Sequence, residues 1–402
     1  MAHPADIAKD SGRAFLDSHP WIRFRLDLKR TPWEFWEQLG EARSKCRHIA
    51  TTPLPPAVAR ELSAVYLAKG VHATTAIEGN TLTEDQALQA VHGHLELPLS
   101  QEYQKREIDN VIRACSIIEL EVYAAPSFDI TPELLKRLNR EVLDGLELDD
   151  GVVPGEYRTK SVVVGNVYRG APAGDCDFLV EQMCSWLNGP DFERTDDGRE
   201  SFLRVFLRAA VAHIYIAWIH PFGDGNGRTA RLVEFGILTA AGVPSVSAQL
   251  LSNHYNATRS AYYRELERAS NSGGDLGPFL SYAVQGLVGE LEQQLNTVRR
   301  VNFDAAWRVY VDEIFAEATT PAPRRQRELV LALREEWIPR SRIPTLTLEL
   351  ALQYAGRQAK TITRDINALE QRRLIERGPK GIRARRDLML GFLPRVADGA
   401  VI

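Results

Sequence analysis

Apolar residues recur along most of this chain at the three- and four-residue spacing of a helix face. Such runs cover 57–77, 107–123, 131–143, 177–187, 201–219, 228–241, 256–270 and 276–301. The run from Ser201 to Ile219 is apolar nearly all round, which predicts a helix buried in a core. One segment breaks the pattern: Ser161 to Val164 is β-branched and runs into Gly165-Asn166, so a small hairpin is expected there, closed by Pro172. Helix stops are marked by Gly79-Asn80 after Ile77 and by Gly242 with Pro244 after Ala241. Thr83 reads as the cap of a helix running towards Val91. Residues 1–52 mix aromatics with charges and read as an arm or short helices packed on the main body, before the break at Pro53, Pro55 and Pro56. The expected fold is mainly α with one short β-hairpin.

Towards the C-terminus, Thr319-Thr320-Pro321-Ala322-Pro323 reads as a linker. Helical runs are then expected at 327–337, 347–354 and 360–373, followed by a strand and turn over 374–381. The divisions that follow are a helical N-terminal region (1–100), a helical core (101–300), a linker (301–323) and a C-terminal domain (324–402). Ile362, Ile366 and Leu369 supply an apolar stripe at i, i+4, i+7, which leaves Lys360, Thr361, Thr363 and Arg364 pointing outward. This order resembles a winged helix-turn-helix domain, with Arg383, Arg385 and Arg386 near the wing. That resemblance implies a helix laid in a DNA groove, or the same shape used for protein association.

Composition adds three points. The apolar share of 44% and charged share of 25% are those of an ordinary globular protein. No uninterrupted apolar run reaches the roughly 18 residues of a membrane span, and Met1 to Arg13 holds no apolar secretory core. With four cysteines at neither metal-type nor paired spacing, a cytoplasmic protein without a membrane partner is expected. The net charge of −4 hides an asymmetry: Arg324 to Arg386 holds 16 Lys and Arg against 7 Asp and Glu, +9, which leaves −13 elsewhere. A basic C-terminal part suits an anionic partner.

Candidate chemistry concentrates in His220-Pro221-Phe222-Gly223-Asp224-Gly225-Asn226-Gly227-Arg228-Thr229-Ala230-Arg231. Alternate glycines let backbone N–H groups turn inward as an anion-binding nest. The helix expected from Arg228 adds partial positive charge at its start. Arg228 and Arg231 share a helix face, Asp224 can hold a hard cation such as Mg²⁺, and His220 can take a proton near neutrality. Phe222 reads as a core anchor. No GK(S/T) phosphate loop and no HExxH zinc motif is present.

This string resembles the signature HPFx(D/E)GNGRxxR of the Fic family of nucleotidyltransferases at every specified position. The resemblance implies transfer of AMP from ATP to a Ser, Thr or Tyr hydroxyl of a protein target, the chain itself included. In that reading His220 is the base, Asp224 positions Mg²⁺ between the α- and β-phosphates, and Asn226 with the N–H groups of Gly225 and Gly227 holds the phosphates. Arg228 and Arg231 steady their far end. Thr74-Thr75-Ala76-Ile77-Glu78-Gly79-Asn80 is similar to the family's inhibitory motif (S/T)xxxE(G/N), which implies that Glu78 pairs with Arg231 and holds the enzyme back. The segment Gly155-Glu156-Tyr157-Arg158 resembles the lead into the family's hairpin flap, which places Val164, Gly165, Asn166 and Val167 near nucleotide and target. Tyr262, in a YYxxL-like segment, is implied at the adenine end. A second copy of the chain is a further expected partner. The alternatives are a different Fic-type phospho-transfer, removal of AMP from a modified protein, or a DNA-binding regulator that senses nucleotide.

Overall fold

The computed structural model describes residues 12–125, 127–164, 168–192, 201–317 and 320–389. They form two compact units, divided between Val298 and Arg299. In the first, the helices are α1 (Trp33–Thr51), α2 (Pro56–Ile77), α3 (Glu84–Val91), α4 (Glu102–Ala124) and α5 (Pro132–Leu143). A two-stranded antiparallel ribbon follows, β1 (Val163–Val164) with β2 (Tyr168–Arg169), pairing Val163 with Arg169 and Val164 with Tyr168. Then come α6 (Cys176–Leu187), α7 (Phe202–Ile219), α8 (Asn226–Ala240), α9 (Leu250–Ala257), α10 (Arg259–Asn271) and α11 (Gly277–Ile314), of which the part up to Val298 belongs to this unit.

The local rules account for many ends. Thr83 and Gln86 form a reciprocal capping box at α3, and the Thr131 hydroxyl accepts from Leu134 N at α5. Gly79, at φ +105°, turns the chain away from α2. α7 is long and apolar enough to cross a membrane by length and composition, yet 72% of it is buried inside this unit. It is the central helix, and α8 packs along it, with Phe206, Ile214, Trp218, Val233 and Leu238 in the core. The expected helix over 256–270 is broken: α9 ends at Ala257, and Thr258, at φ −119° and ψ 38°, starts α10 at an angle.

The second unit holds α12 (Pro321–Ala332), α13 (Leu348–Tyr354), α14 (Ala359–Gln371), and an antiparallel hairpin of β3 (Ile375–Gly378) and β4 (Gly381–Ala384). Ile338 bridges to Ile382 at the hairpin's edge. The expected linker over 301–323 is corrected here. Residues 301–314 continue α11, and Pro321, at the first turn of α12, opens a helix where a break was expected. The physical reason is apolar: Trp307, Val311 and Phe315 bury themselves in the core of this unit with Leu329, Ile366 and Leu369. Ile366 and Leu369 are buried as the stripe requires, with Ile362 packed against them.

Asp365, on the buried face of α14 and 1% exposed, accepts from Arg325 Nε (2.6 Å), Arg325 Nη2 (3.0 Å), Gln326 Nε2 (3.1 Å) and the Tyr354 hydroxyl (3.0 Å). It is the polar hub joining α12, α13 and α14. Removing one partner of such a pair leaves a buried charge unmatched. Asp365→Ala is therefore expected to destabilise this unit by about 3–5 kcal/mol, read from denaturant unfolding; a loss below about 1 kcal/mol would refute the hub.

Candidate active site

The site is built where α7 ends. His220 follows its last turn in the left-handed conformation (φ 50°, ψ 57°), a strained state for a side-chain-bearing residue. Arg158 holds it there. Its Nε donates to the His220 carbonyl (2.7 Å), Nη1 to Lys160 O (2.8 Å), and Nη2 to the carbonyls of Ala171 and Ile219. Its own backbone N–H donates to Pro221 O (2.9 Å), next to a bridge between Tyr157 and Phe222. A buried cation thus satisfies carbonyls that a helix C-terminus leaves orphaned. A Cβ on Gly170 would lie 2.9 Å from both Arg158 Nη2 and His220 Cβ, so only glycine lets the chain pass there. Burial and then the Arg158 charge hold the His220 imidazole down, at about 4, against the opposing pull of Glu78 and Asp224. The ring is therefore a neutral base at pH 7.

From His220 the chain turns through Gly223 and Gly225 into α8. Phe222 is a buried anchor, 1% exposed, as expected. Asn226 ties the turn: Phe222 N donates to its Oδ1 and its Nδ2 donates to Phe222 O, both 2.9 Å. Gly225 takes φ +77°, with no room for a Cβ against Asn139 and Val142. Asn139, fully buried, donates to Asp224 O (2.9 Å) and accepts from Gly155 N (2.9 Å), so α5 clamps the loop from below. α8 begins at Asn226, two residues earlier than expected, which puts Asn226, Gly227 and Arg228 in the first turn, where N–H groups have no intrahelical acceptor.

Both arginines are 2% exposed and both face acids. Arg231 Nη2 donates to Glu78 Oε1 (2.5 Å) and to the Thr74 carbonyl (3.0 Å). Burial pushes the Glu78 carboxyl up, but the charge and hydrogen bond of Arg231 outweigh it and leave it below its ordinary value. A Cβ on Gly227 would come within 2.2 Å of Glu78 Oε1. The carboxylate therefore rests on the open N-terminal turn of α8, as an anion would. Arg228 faces two carboxylates: Nη1 donates to Glu107 Oε1 (2.9 Å), and Nη2 lies 3.3–3.4 Å from the two Asp224 oxygens. Arg228 Nε and Arg231 Nε are buried without partners.

The Asp224 side chain, 43% exposed, is the accessible carboxylate of the loop. Among the described residues no group of three or more His, Cys, Asp or Glu is arranged to hold a metal ion. A lone carboxylate beside an anion cradle fits a cation that arrives with phosphates, since Mg²⁺ commonly takes one or two carboxylates plus substrate oxygens.

Tyr262, expected at the adenine end, packs in the core of the first unit. It is 3% exposed, and its hydroxyl meets His213 Nε2 at 2.8 Å, while His213 Nδ1 faces Glu234 (3.3 Å). Tyr255 also donates to Glu234 (3.0 Å) and stacks on Tyr262. The outward tyrosine of the pair is Tyr263, 42% exposed. Of the hairpin residues, Val164 lies in β1, whereas Gly165, Asn166 and Val167 fall outside the described residues. The root of the ribbon is fixed by the Tyr168 hydroxyl on Trp218 O (2.7 Å) and by His19 Nε2 on Arg169 O (2.8 Å). Sequence reasoning read Asn80 only as a helix stop and part of the motif stretch, missed Glu107 and Asn139, and gave Arg158 no role.

Residues 129–238, which span α5 to α8, match the Fic/DOC family. The chain carries a Fic domain. Its similarity extends beyond the match: the protein adenylyltransferase fic-1 of Caenorhabditis briggsae is 28% identical over 262 residues, 64% of this chain and 46% of that protein. The protein adenylyltransferase Fic of Drosophila melanogaster is 31% identical over 212 residues, 53% of this chain and 39% of that protein. The chain thus spans under half the length of these two relatives. A Fic family protein from Desulfovibrio desulfuricans shares the fold with a TM-score of 0.54 at 20% identity, covering 88% of this chain and 95% of its own. Fic-1 (residues 134–508) from C. elegans does so at 0.52 and 23%, covering 67% and 74%. The Fic domain here contains His220, Asp224, Arg228 and Arg231, while Glu78 reaches it from α2, upstream of the matched segment.

In nuclear magnetic resonance, the His220 ring of the unliganded protein is expected to titrate near pH 4, well below the ordinary 6.5. An inflection at the ordinary value would contradict the burial and the Arg158 contact described for it.

Proposed function

We propose that the Fic domain transfers AMP from ATP to a Ser, Thr or Tyr hydroxyl of a protein target, and that Glu78 holds this form inactive. One observation carries the reading: a carboxylate lies on the helix start between Gly227 and Arg231, on the same turn that follows His220. An acid occupies a seat built for an anion. The names of the relatives support the adenylyl chemistry, and the neutral His220 supports a base.

In this reading the phosphates of ATP lie on the N–H groups of Gly225, Asn226 and Gly227, with Arg231 at their far end once Glu78 leaves. His220 takes the proton of the target hydroxyl. The hydroxyl oxygen forms a bond to the α-phosphorus, the bond from that phosphorus to the bridging oxygen breaks, and pyrophosphate departs. The chain's contribution is position and charge compensation. Asp224 would hold Mg²⁺, which supplies further neutralisation of phosphate charge when bound. The ribbon of β1 and β2 is read as a flap that holds an extended target segment by strand addition; Val163 is exposed on it, consistent with a free edge.

Glu78 excludes ATP in two ways: it takes the Arg231 guanidinium, and it puts a negative charge where phosphates would stand. Because Arg231 is buried, added salt screens this pair little.

The C-terminal unit is read as a winged-helix module, a reading supported by its order of α12, the Ile338 bridge, α13, α14 and the β3–β4 hairpin. Lys360 and Arg364 are exposed on α14, which favours a phosphate contact. Arg383, Arg385 and Arg386 are engaged by Glu376, Asp387 and Asp304, which restricts the cationic surface.

Labelling with ATP marked at the α-phosphate tests the enzyme. Wild type is expected to label weakly and Glu78→Gly strongly, roughly tenfold more or beyond. Adding His220→Ala to Glu78→Gly should reduce labelling by about 10²–10⁴. Equal labelling of wild type and Glu78→Gly removes the self-inhibition; labelling that survives loss of His220 removes the base. For the C-terminal module, binding to duplex DNA should weaken steeply as salt rises; a shift indifferent to salt, or none, would assign it to protein association.

A further inference from the structure

The two arginines of α8 are not restrained independently. Glu107, on α4 and 6% exposed, uses one oxygen on each of two donors. Oε1 accepts from Arg228 Nη1 (2.9 Å) and Oε2 accepts from Asn80 Nδ2 (2.9 Å). Asn80 lies two residues beyond Glu78 and is 8% exposed. Its Nδ2 also donates to Gln104 O (2.9 Å), and its Oδ1 accepts from Leu82 N (3.0 Å). The turn that carries Glu78 is thus fastened to α4 through Asn80, and the fastening point is the carboxylate that holds Arg228.

Resting on the Fic reading given above, we propose that Glu107 is a positioning residue that aims Arg228 at the phosphate site and, through Asn80, holds the inhibitory turn in place. One carboxylate serves both sides because each oxygen faces a donor. An amide at 107 can satisfy only one of them, since its NH₂ would then face another N–H. Without Glu107, the neighbouring carboxylate left to Arg228 is Asp224, 3.3–3.4 Å away and on its solvent-facing side, so the guanidinium is drawn out of line.

The two arms predict opposite changes in nucleotide affinity. In the full chain with His220→Ala, which blocks transfer, ATP binding is measured by titration calorimetry. Glu78→Gly should bind ATP clearly. Adding Glu107→Gln to it should weaken binding by about tenfold, the scale of one charge-assisted hydrogen bond. With Glu78 present, Asn80→Ala should instead tighten binding by about threefold or more, because the inhibitory turn is loosened. A change that merely destabilised the fold would not tighten binding. If Glu78→Gly binds no ATP, the Fic reading itself fails and this inference with it. If it binds and Glu107→Gln, folded by circular dichroism, binds equally well, only the inference is overturned. Should Glu107→Gln fail to fold, Asn80→Ala decides, and unchanged affinity there overturns the fastening.

Discussion

A guanidinium taken out of water must find acceptors, because removing charge from water costs far more than packing returns, and at the start of α8 those acceptors are carboxylates. Arg228 and Arg231 place two such charges one turn apart at the start of α8, each 2% exposed. The acids come from elsewhere, Glu78 from the end of α2 and Glu107 from α4. Three helices distant in sequence therefore converge on one helix start. The protein thus supplies its own counter-charges to this helix start.

The same convergence sets what was readable from sequence. His220 to Arg231 are contiguous, so they could be read together as one candidate site, with their roles implied by the family resemblance. Helix existence was legible from apolar periodicity, and ends were legible where Thr83, Thr131 or Gly79 carry a local signal. The long-range roles of Arg158, Asn139, Glu107 and Asn80 were not, since each acts on a group far along the chain that nothing local announces. The side that Tyr262 faces was not legible for a related reason. Two adjacent tyrosines point to different sides of a helix, and only the buried His213 and Glu234 decide which one turns inward. The expected linker failed differently: Trp307, Val311 and Phe315 carry a four-residue period that the neighbouring prolines outweighed.

Charge in the second unit shows how composition can mislead about surface. Its excess of Lys and Arg includes Arg325, which is buried on Asp365, and Arg383 and Arg386, held by Glu376 and Asp304. Part of the basic character therefore serves cohesion, and the exposed share narrows to positions such as Lys360 and Arg364.

Gly170 has a consequence for how the ribbon before it can vary. The chain leaving β2 passes so near His220 and Arg158 that no side chain fits, while Tyr168 and His19 pin the adjoining residues. The gauge between ribbon and imidazole is therefore set at the root. Insertions or deletions between β1 and β2 can lengthen or shorten the ribbon without altering that gauge, so its reach and the placement of the His220 ring can diversify separately.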